Sequence, residues 1–211
     1  MPGPTPETKR ENLCEPATLN TGRILLRPWK DEDYTPFHVM SSDPRVYEFL
    51  PRFADKAASD AFADMMRRDF SRRGWGFWVL EHKESGAFMG IAGMHEPGPE
   101  FGVGRPCVEI GWRLDPAFWG GGFATEAARE VMRFAFCELR LDELVSFTAV
   151  GNERSYRLME RLGMEREKEF DLLKFSPGDP NRRSYLYALT RQKWLARNKQ
   201  GSGPITRGNG A

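Results

Sequence analysis

Residues 109–127 carry the most information about the fold, and they read EIGWRLDPAFWGGGFATEA. The pattern predicts a strand, a turn at Asp115-Pro116, and then three glycines that open an alanine-rich helix. Glycines at such a turn leave backbone N–H groups unobstructed, and a helix N-terminus carries about half a positive charge. The stretch therefore indicates a loop that binds phosphate or pyrophosphate, although a plain turn before an ordinary helix fits equally well.

Two familiar phosphate-binding patterns fit this loop poorly. A Walker-type loop ends in Gly-Lys-Ser/Thr, and no lysine follows the glycines here. A dinucleotide-binding loop, G-x-G-x-x-G/A counted from Gly120, needs glycine or alanine where the chain has Thr125. It would also follow its strand directly, whereas residues 115–119 intervene. A nicotinamide-dependent oxidoreductase therefore stays a minor alternative, and it requires NAD or NADP binding.

The composition excludes several classes of protein. The chain has 211 residues, 40% of them hydrophobic, with 31 Lys+Arg against 30 Asp+Glu, which suits one globular domain. No apolar run approaches the roughly 20 residues that span a bilayer, and the balanced charge gives no general affinity for nucleic acid or anionic lipid. Cys14, Cys107 and Cys137 suit neither a disulfide framework nor a zinc site, and the first residues lack a secretory core. We expect a cytoplasmic protein without a bound metal.

The chain is predicted to form one domain with two loose ends. Residues 1–20 are rich in proline and residues 198–211 in glycine, so we expect both to be disordered around a body at 21–197. The predicted strands are 23–27, 76–82, 88–94, 107–114, 144–150, 164–170 and 184–189, and the predicted helices are 31–40, 56–72, 122–138 and 153–162, with a solvated terminal helix at 191–197. The order β-α-α-β-β-β-α-β-α-β-β predicts an α/β (α+β) domain with a mixed, mostly antiparallel sheet of about seven strands flanked by about four helices.

Several motifs within residues 21–190 resemble the GCN5-related N-acetyltransferase (GNAT) superfamily. The acetyl-coenzyme A loop of that superfamily has the form R/Q-x-x-G-x-G/A, and Gly122 and Ala124 match its last two specified positions. Trp119 replaces the Arg or Gln, within a W-G-x-G-x-A-T-E-A pattern typical of the branch resembling the RimJ/RimL ribosomal-protein N-terminal acetyltransferases. Two further stretches are similar to that branch, LLRPW at 25–29 and NERSYRLMERLGM at 152–164.

The resemblance implies that an acetyl group moves from acetyl-coenzyme A to a primary amine by direct attack in a ternary complex. Family members hold the pantetheine arm beside the strand that corresponds to 107–114, and the pyrophosphate on the amides of the glycine loop. The implied coenzyme-binding residues are Leu114, Trp119, Gly120, Gly121, Gly122, Phe123, Ala124, Thr125, Asn152 and Ser155. No metal takes part in this chemistry.

Glu109 is the catalytic base that the resemblance implies, acting directly or through water, and it would also hold the cationic amine. Strand alternation places Glu109, Gly111 and Arg113 on one face, opposite an apolar face. A carboxylate on a solvent-facing strand position, in a weak surface ion pair, is the other interpretation of the same pattern. We favour the catalytic role because of the resemblance.

The acid that reprotonates the coenzyme A thiolate is less clearly marked. Asn152 is a good N-cap, and in the family this Asn contacts the pantetheine arm. Many members carry a Tyr seven residues later, but here that position is Met159, which donates no proton. Ser155 lies one turn earlier on the same helix face and is the implied acid or hydrogen-bond donor, ahead of Tyr156 and water.

The amine acceptor is open at this stage. Ribosomal-protein acetyltransferases suggest a peptide N-terminus, and the same branch includes enzymes that acetylate small amines. Of the aromatic residues in the first half of the chain, most belong to the core and one or two line the acceptor pocket: Trp29, Phe49, Phe53, Trp75, Phe77 and Trp78. A catalytically silent acyl-coenzyme A-binding module is the alternative function, and the sequence allows a homodimer.

Overall fold

The structure is a computed structural model that describes residues 15–200. Its strands are β1 (Leu19–Asn20), β2 (Ile24–Arg27), β3 (Phe77–His82), β4 (Phe88–His95), β5 (Glu109–Leu114), β6 (Glu143–Ala149), β7 (Glu165–Asp171) and β8 (Arg183–Thr190). Its α-helices are α1 (Tyr34–Ser41), α2 (Pro44–Tyr47), α3 (Lys56–Arg73), α4 (Phe123–Arg133), α5 (Glu153–Arg161) and α6 (Arg191–Gln200). The strands form one mixed sheet in the order β1-β2-β3-β4-β5-β6-β8-β7.

The sheet is antiparallel except where β5 meets β6. These two strands are parallel and pair at a single register position, Glu109 opposite Val145. The Val145 N–H donates to the Val108 carbonyl at 2.9 Å. Past this point a cleft separates residues 111–114 of β5 from residues 146–148 of β6. The sheet is therefore open at its centre, where polar backbone edges face the cleft.

Helices cover the sheet on both faces. Helix α4 packs on one face, where its alanines let it approach a core that includes Trp78, Met94 and Ile110. Helices α1 and α3 cover the other face, where Val79 and Ile91 lie in a separate buried cluster. Because neighbours along β3 and β4 alternate between the two clusters, these strands are apolar on both faces, as expected for a sheet between two layers.

The predicted class and element order are confirmed, and the sheet is one strand larger than predicted. The extra strand, β1, has two residues and no periodicity of its own. It is held by tertiary contacts, because Leu19 is buried and the Ala17 carbonyl accepts a hydrogen bond from the Trp78 indole at 2.8 Å. The folded body therefore begins before residue 21. Residues 1–14 and 201–211 lie outside the described residues, and their disorder stays a prediction.

Two local features also differ from the prediction. Helix α2 has only four residues, too few to show a period, and it begins where the Asp43 carboxylate accepts from the Arg45 N–H at 2.9 Å. The helix predicted at 122–138 leaves α-geometry after Arg133 and ends in a π-helical turn at Phe134–Glu138. Cys137 lies in that turn and is exposed.

Candidate active site

The cleft between β5 and β6 has a volume of about 690 Å³. Its walls are the glycine loop before α4, the first turns of α5, and the segment from α2 to residue 50. Every residue implied by the resemblance lines it except Gly121. The Gly121 carbonyl instead accepts a hydrogen bond from Arg23 Nη1 at 3.0 Å.

The glycine loop is open toward the cleft. Gly120 and Gly122 have φ values of 77° and 78°, in the left-handed region that side chains rarely adopt. No atom lies within 4 Å of the place where a Cβ on Gly120 would be. Gly122 is the N-cap of α4, and its carbonyl accepts from the Glu126 N–H at 3.0 Å. An open backbone at a helix N-terminus suits a pyrophosphate group.

Two residues that the sequence did not single out fix this loop. Glu126 accepts hydrogen bonds from the Thr21 hydroxyl at 2.6 Å and from the backbone N–H and Nε of Arg23 at 2.9 and 2.7 Å. Burial of the Glu126 carboxyl opposes ionisation, but these donors outweigh it and hold its pKa below the ordinary value. The guanidinium of Arg23 also lies 4.2 Å from the centre of the Phe123 ring.

Trp119 shows what this chain uses where the family pattern has Arg or Gln. Its indole N–H donates to the Leu114 carbonyl at 2.8 Å, so the side chain braces the turn between β5 and the glycines. The Arg154 guanidinium stacks 4.4 Å from the ring centre. The tryptophan therefore supports the turn and stacks against the Arg154 cation, although its own side chain is uncharged.

A row of arginines follows one face of α5 along the cleft. Arg154, Arg157 and Arg161 are spaced by three and four residues, which puts them on the same side of the helix, and all three line the cleft. Arg157 pairs with Glu153, and Arg154 lies 3.3 Å from Glu48. Guanidinium groups in such a row suit phosphate oxygens. The spacing is visible in the sequence, but it does not by itself indicate a role.

Glu109 is 8% exposed and faces the cleft, so the alternative of a solvent-facing surface pair was wrong. Its Oε2 is hydrogen-bonded to Nε2 of His95, its partner across the β4–β5 ladder. The His95 ring lies between Phe77 and Phe101, with ring centres 5.7 and 5.4 Å away. His95 thus positions the carboxylate. This pairing is not predictable from the sequence, because the register of the hairpin is not visible there.

Asn152 and Ser155, at the start of α5, line the same cleft as Glu109. The Asn152 side chain accepts from the Ser155 N–H at 3.3 Å and donates to the Thr148 hydroxyl at 2.9 Å, joining β6 to the helix. Ser155 lines the cleft, whereas Tyr156 does not and packs edge-to-face against Tyr185 at 5.7 Å. Met159 is buried in the core.

The end of the cleft near α2 and α3 is aromatic and basic. Of the aromatic residues considered from the sequence, Phe49 and Phe77 line it, and Phe62 of α3 joins them. Two arginines complete this wall, Arg45 and Arg113. Within residues 15–200, no group of three His, Cys, Asp or Glu side chains is arranged to hold a metal ion. No helix in the same range is long and apolar enough to cross a membrane.

The fold and the cleft are those of an acetyltransferase of the GNAT type. Residues 23–165 match the family described as acetyltransferase (GNAT) domain, so the chain belongs to that family, whose members transfer acetyl groups from acetyl-coenzyme A.

Relatives and solved structures agree with this assignment. The FsC-acetyl coenzyme A-N(2)-transacetylase of Aspergillus fumigatus is 30% identical over 86% of this chain and 80% of its own length. YdaF of Bacillus subtilis, provisionally named a ribosomal N-acetyltransferase, is 28% identical over 81% of this chain and 91% of its own. An acetyltransferase structure from Agrobacterium tumefaciens is 27% identical, with a TM-score of 0.68 over 85% of this chain and 98% of that one. The match with YdaF is consistent with the RimJ/RimL-like branch.

Proposed function

We propose that this protein acetylates a primary amine, either a protein N-terminus or a small molecule, by direct attack in a ternary complex with acetyl-coenzyme A. One observation carries the proposal: the buried carboxylate of Glu109 faces the same cleft as the open glycine loop at the start of α4. A base and a site for a phosphate-bearing coenzyme are thereby within one continuous cavity.

The residues of the cleft fit acetyl-coenzyme A. The glycine loop and the arginine row of α5 would hold its phosphates, and the unpaired edges of β5 and β6 would hold its pantetheine amides. Leu114, Trp119 and the residues from Gly120 to Thr125 form this surface, with Gly121 set back from it. When bound, acetyl-coenzyme A supplies a thioester whose C–S bond breaks as the amine nitrogen forms the new C–N bond.

The side chains of the chain move the protons. Glu109 accepts a proton from the ammonium form of the acceptor, directly or through water, so that the neutral amine attacks the thioester, and His95 keeps the carboxylate aimed at the cleft. The Ser155 hydroxyl or a water molecule donates a proton to the departing thiolate. Asn152 holds the first turn of α5 so that Ser155 stays at the cleft. No covalent enzyme intermediate is required.

Replacement of Glu109 by Gln tests the base. We expect turnover to fall about 10²–10⁴-fold while the affinity for acetyl-coenzyme A is unchanged. The control is Glu100→Gln, which alters an exposed carboxylate outside the cleft. Unchanged turnover in Glu109→Gln would show that another group is the base.

A catalytically silent acyl-coenzyme A-binding module is the second candidate, and the burial of Met159 where many relatives have Tyr favours it. Both candidates predict that saturating acetyl-coenzyme A stabilises the fold by about 2.7 kcal/mol at a hundred times its Kd. That corresponds to a rise in Tm of about 5–10 °C for a domain of this size. Release of coenzyme A thiol with any amine of a broad panel selects the enzyme, and binding without release selects the module.

A further inference from the structure

Arg113 is a partly buried arginine that the acetyl transfer described above does not use. It lies on β5, on the sheet face of Glu109, and lines the same cleft. Its guanidinium donates from Nη1 to the Ser41 hydroxyl at 3.2 Å. Among residues 15–200, no carboxylate lies within ion-pair distance of it, and burial alone lowers its pKa, to about 10. The positive charge is therefore held in the cleft without a counter-ion from the described chain.

Three aromatic rings surround this guanidinium. The ring centres of Phe37, Phe53 and Phe62 lie 5.9, 5.4 and 5.9 Å from the Arg113 Cζ atom. Such rings favour and orient a cation, but they neither neutralise it nor satisfy its N–H donors. The arrangement leaves donors of a planar, fork-shaped group for a ligand that enters from the cleft.

A second arginine in the same cross-strand row shows the usual treatment of a buried guanidinium. Arg27 faces Val79, Val79 faces Ile91, and Ile91 faces Arg113. Arg27 donates to both Asp33 oxygens at 2.7 and 2.8 Å and to Glu81 at 2.6 Å. These carboxylates raise its pKa above the ordinary value, with the Asp33 hydrogen bonds as the largest cause. The buried Arg27 is thus paired with carboxylates of the chain, as a structural arginine usually is, whereas Arg113 beside the cleft is not.

We infer that Arg113 binds an anionic group of the acceptor, so that the substrate is an amine that also carries a carboxylate. This inference rests on the proposed function, because Glu109 would hold the amine. The Cα atoms of Glu109 and Arg113 are four strand residues apart, about 13 Å. Glu109 Oε1 lies 4.0 Å from the place where a Cβ on Gly111 would be, between the two residues, and the Arg113 guanidinium is carried on a long side chain. The length of the acceptor between its nitrogen and its carboxylate is therefore left to the experiment, with ω-amino acids and peptides that carry an acidic side chain near the N-terminus as the candidates.

The test uses acetyl-coenzyme A and ω-amino acids of increasing chain length, each beside its uncharged carboxamide. Coenzyme A thiol release gives kcat/KM for every amine. In the wild type we expect the carboxylate to be preferred about ten-fold or more at the best chain length. Arg113→Met should remove the preference and leave the carboxamide rates nearly unchanged, and Arg113→Lys should keep part of it. The control Arg68→Met removes an exposed arginine of α3 outside the cleft and should keep all of it.

A matched pair of peptides identifies the source of the anion. Peptides with Glu or Gln at the second position are compared in the same assay. A carboxylate preference restricted to the peptides supports a protein N-terminus as the source, and one restricted to the ω-amino acids supports a small molecule. Equal rates on carboxylate and neutral partners in the wild type, in both series, overturn the inference without any variant. A preference that survives in Arg113→Met also overturns it.

Calorimetry separates failure of this inference from failure of the proposed function. The probes are N-acetylated ω-amino acids and their carboxamides, titrated into protein saturated with coenzyme A. Carboxylate binding that is tighter than carboxamide binding and lost in Arg113→Met supports the anion site even if no amine is acetylated, in which case only the proposed function fails. Acetylation of amines with equal binding of both probes overturns the anion site and leaves the proposed function standing.

Discussion

Arg23 and Glu126 lie 103 residues apart in the sequence, and their side chains join at 2.7 Å between Nε and Oε2. The pair connects the turn between β1 and β2 to the first turn of α4. Since Arg23 also donates to the Gly121 carbonyl at 3.0 Å, it holds the glycine loop from the side away from the cleft. The geometry of the glycine loop thus depends on the edge of the sheet.

Glu126→Gln should weaken acetyl-coenzyme A binding and lower Tm at pH 7. The pKa of Glu126 is below its ordinary value, so the carboxylate contributes stability above that ordinary value and loses it as pH falls through the folded-state pKa. The Tm difference from the wild type should therefore shrink at acidic pH. Thermal melts between neutral and acidic pH measure it. Glu130→Gln, which disturbs a helix pair with Arg133 one turn later, should leave coenzyme binding intact. Equal loss of binding in both variants would contradict the anchoring role.

Local patterns were enough to place most elements of the fold. The strands from β2 to β8 and the longer helices carry runs that alternate or repeat at the helical period, and these survive in the structure. Strand β1 and helix α2 are too short for any period, so only contacts with Trp78 or a cap at Asp43 reveal them.

The site was predictable to the extent that it lies within one motif. The glycine loop is one continuous stretch of sequence, and so is the start of α5. The residues of both stretches line one cleft. His95, Arg23 and Arg113 gain their roles from pairing register and from contacts across the sheet. Such contacts depend on the whole fold, and a single sequence does not display them.

Gly120→Ala should weaken acetyl-coenzyme A binding beyond its effect on stability. A left-handed φ of 77° costs an alanine about 1–2 kcal/mol, although the space around it is open. Gly86→Ala is a matched control, because Gly86 has φ 69° and equally open surroundings in the β3–β4 turn, away from the cleft. Both variants should lose similar stability in urea melts, and only Gly120→Ala should lose coenzyme affinity by titration. Equal affinities of the two variants for acetyl-coenzyme A would contradict binding of the coenzyme at this loop.

His95→Gln should lower kcat by about ten-fold or more, less than Glu109→Gln, with little change in acetyl-coenzyme A affinity. The reason is that His95 orients the Glu109 carboxylate from outside the cleft. His38→Gln, at a histidine hydrogen-bonded to Ser59 on α3, should keep the wild-type kcat. A wild-type kcat in His95→Gln would show that His95 only packs beside Glu109 and does not orient it.

Tyr187 should make the fold sensitive to alkaline pH. Burial, followed by its hydrogen bond to Glu160 at 3.0 Å, raises the pKa of Tyr187 to about 12. Because an unfolded tyrosine ionises near pH 10, the stabilisation is complete below about pH 10 and is lost as pH rises toward 12. Tyr187→Phe should melt lower than the wild type at pH 8, and the difference should narrow between pH 10 and 12. A constant difference would mean that another group controls the alkaline transition.

Arg161→Met should weaken binding of acetyl-coenzyme A by about ten-fold and leave S-acetylpantetheine binding unchanged. Arg161 ends the arginine row of α5, and among the described residues it has no carboxylate partner, so its charge is available to a phosphate. The comparison isolates the phosphate contribution, because the two probes share the thioester and the pantetheine amides.

The affinity for acetyl-coenzyme A should also fall with added salt less steeply in Arg161→Met than in the wild type. Arg166→Met, whose guanidinium stacks on Tyr185 outside the cleft, is the control and should bind both probes normally. Equal weakening of both probes in Arg161→Met would place the phosphates elsewhere and indicate that the arginine supports the helix instead.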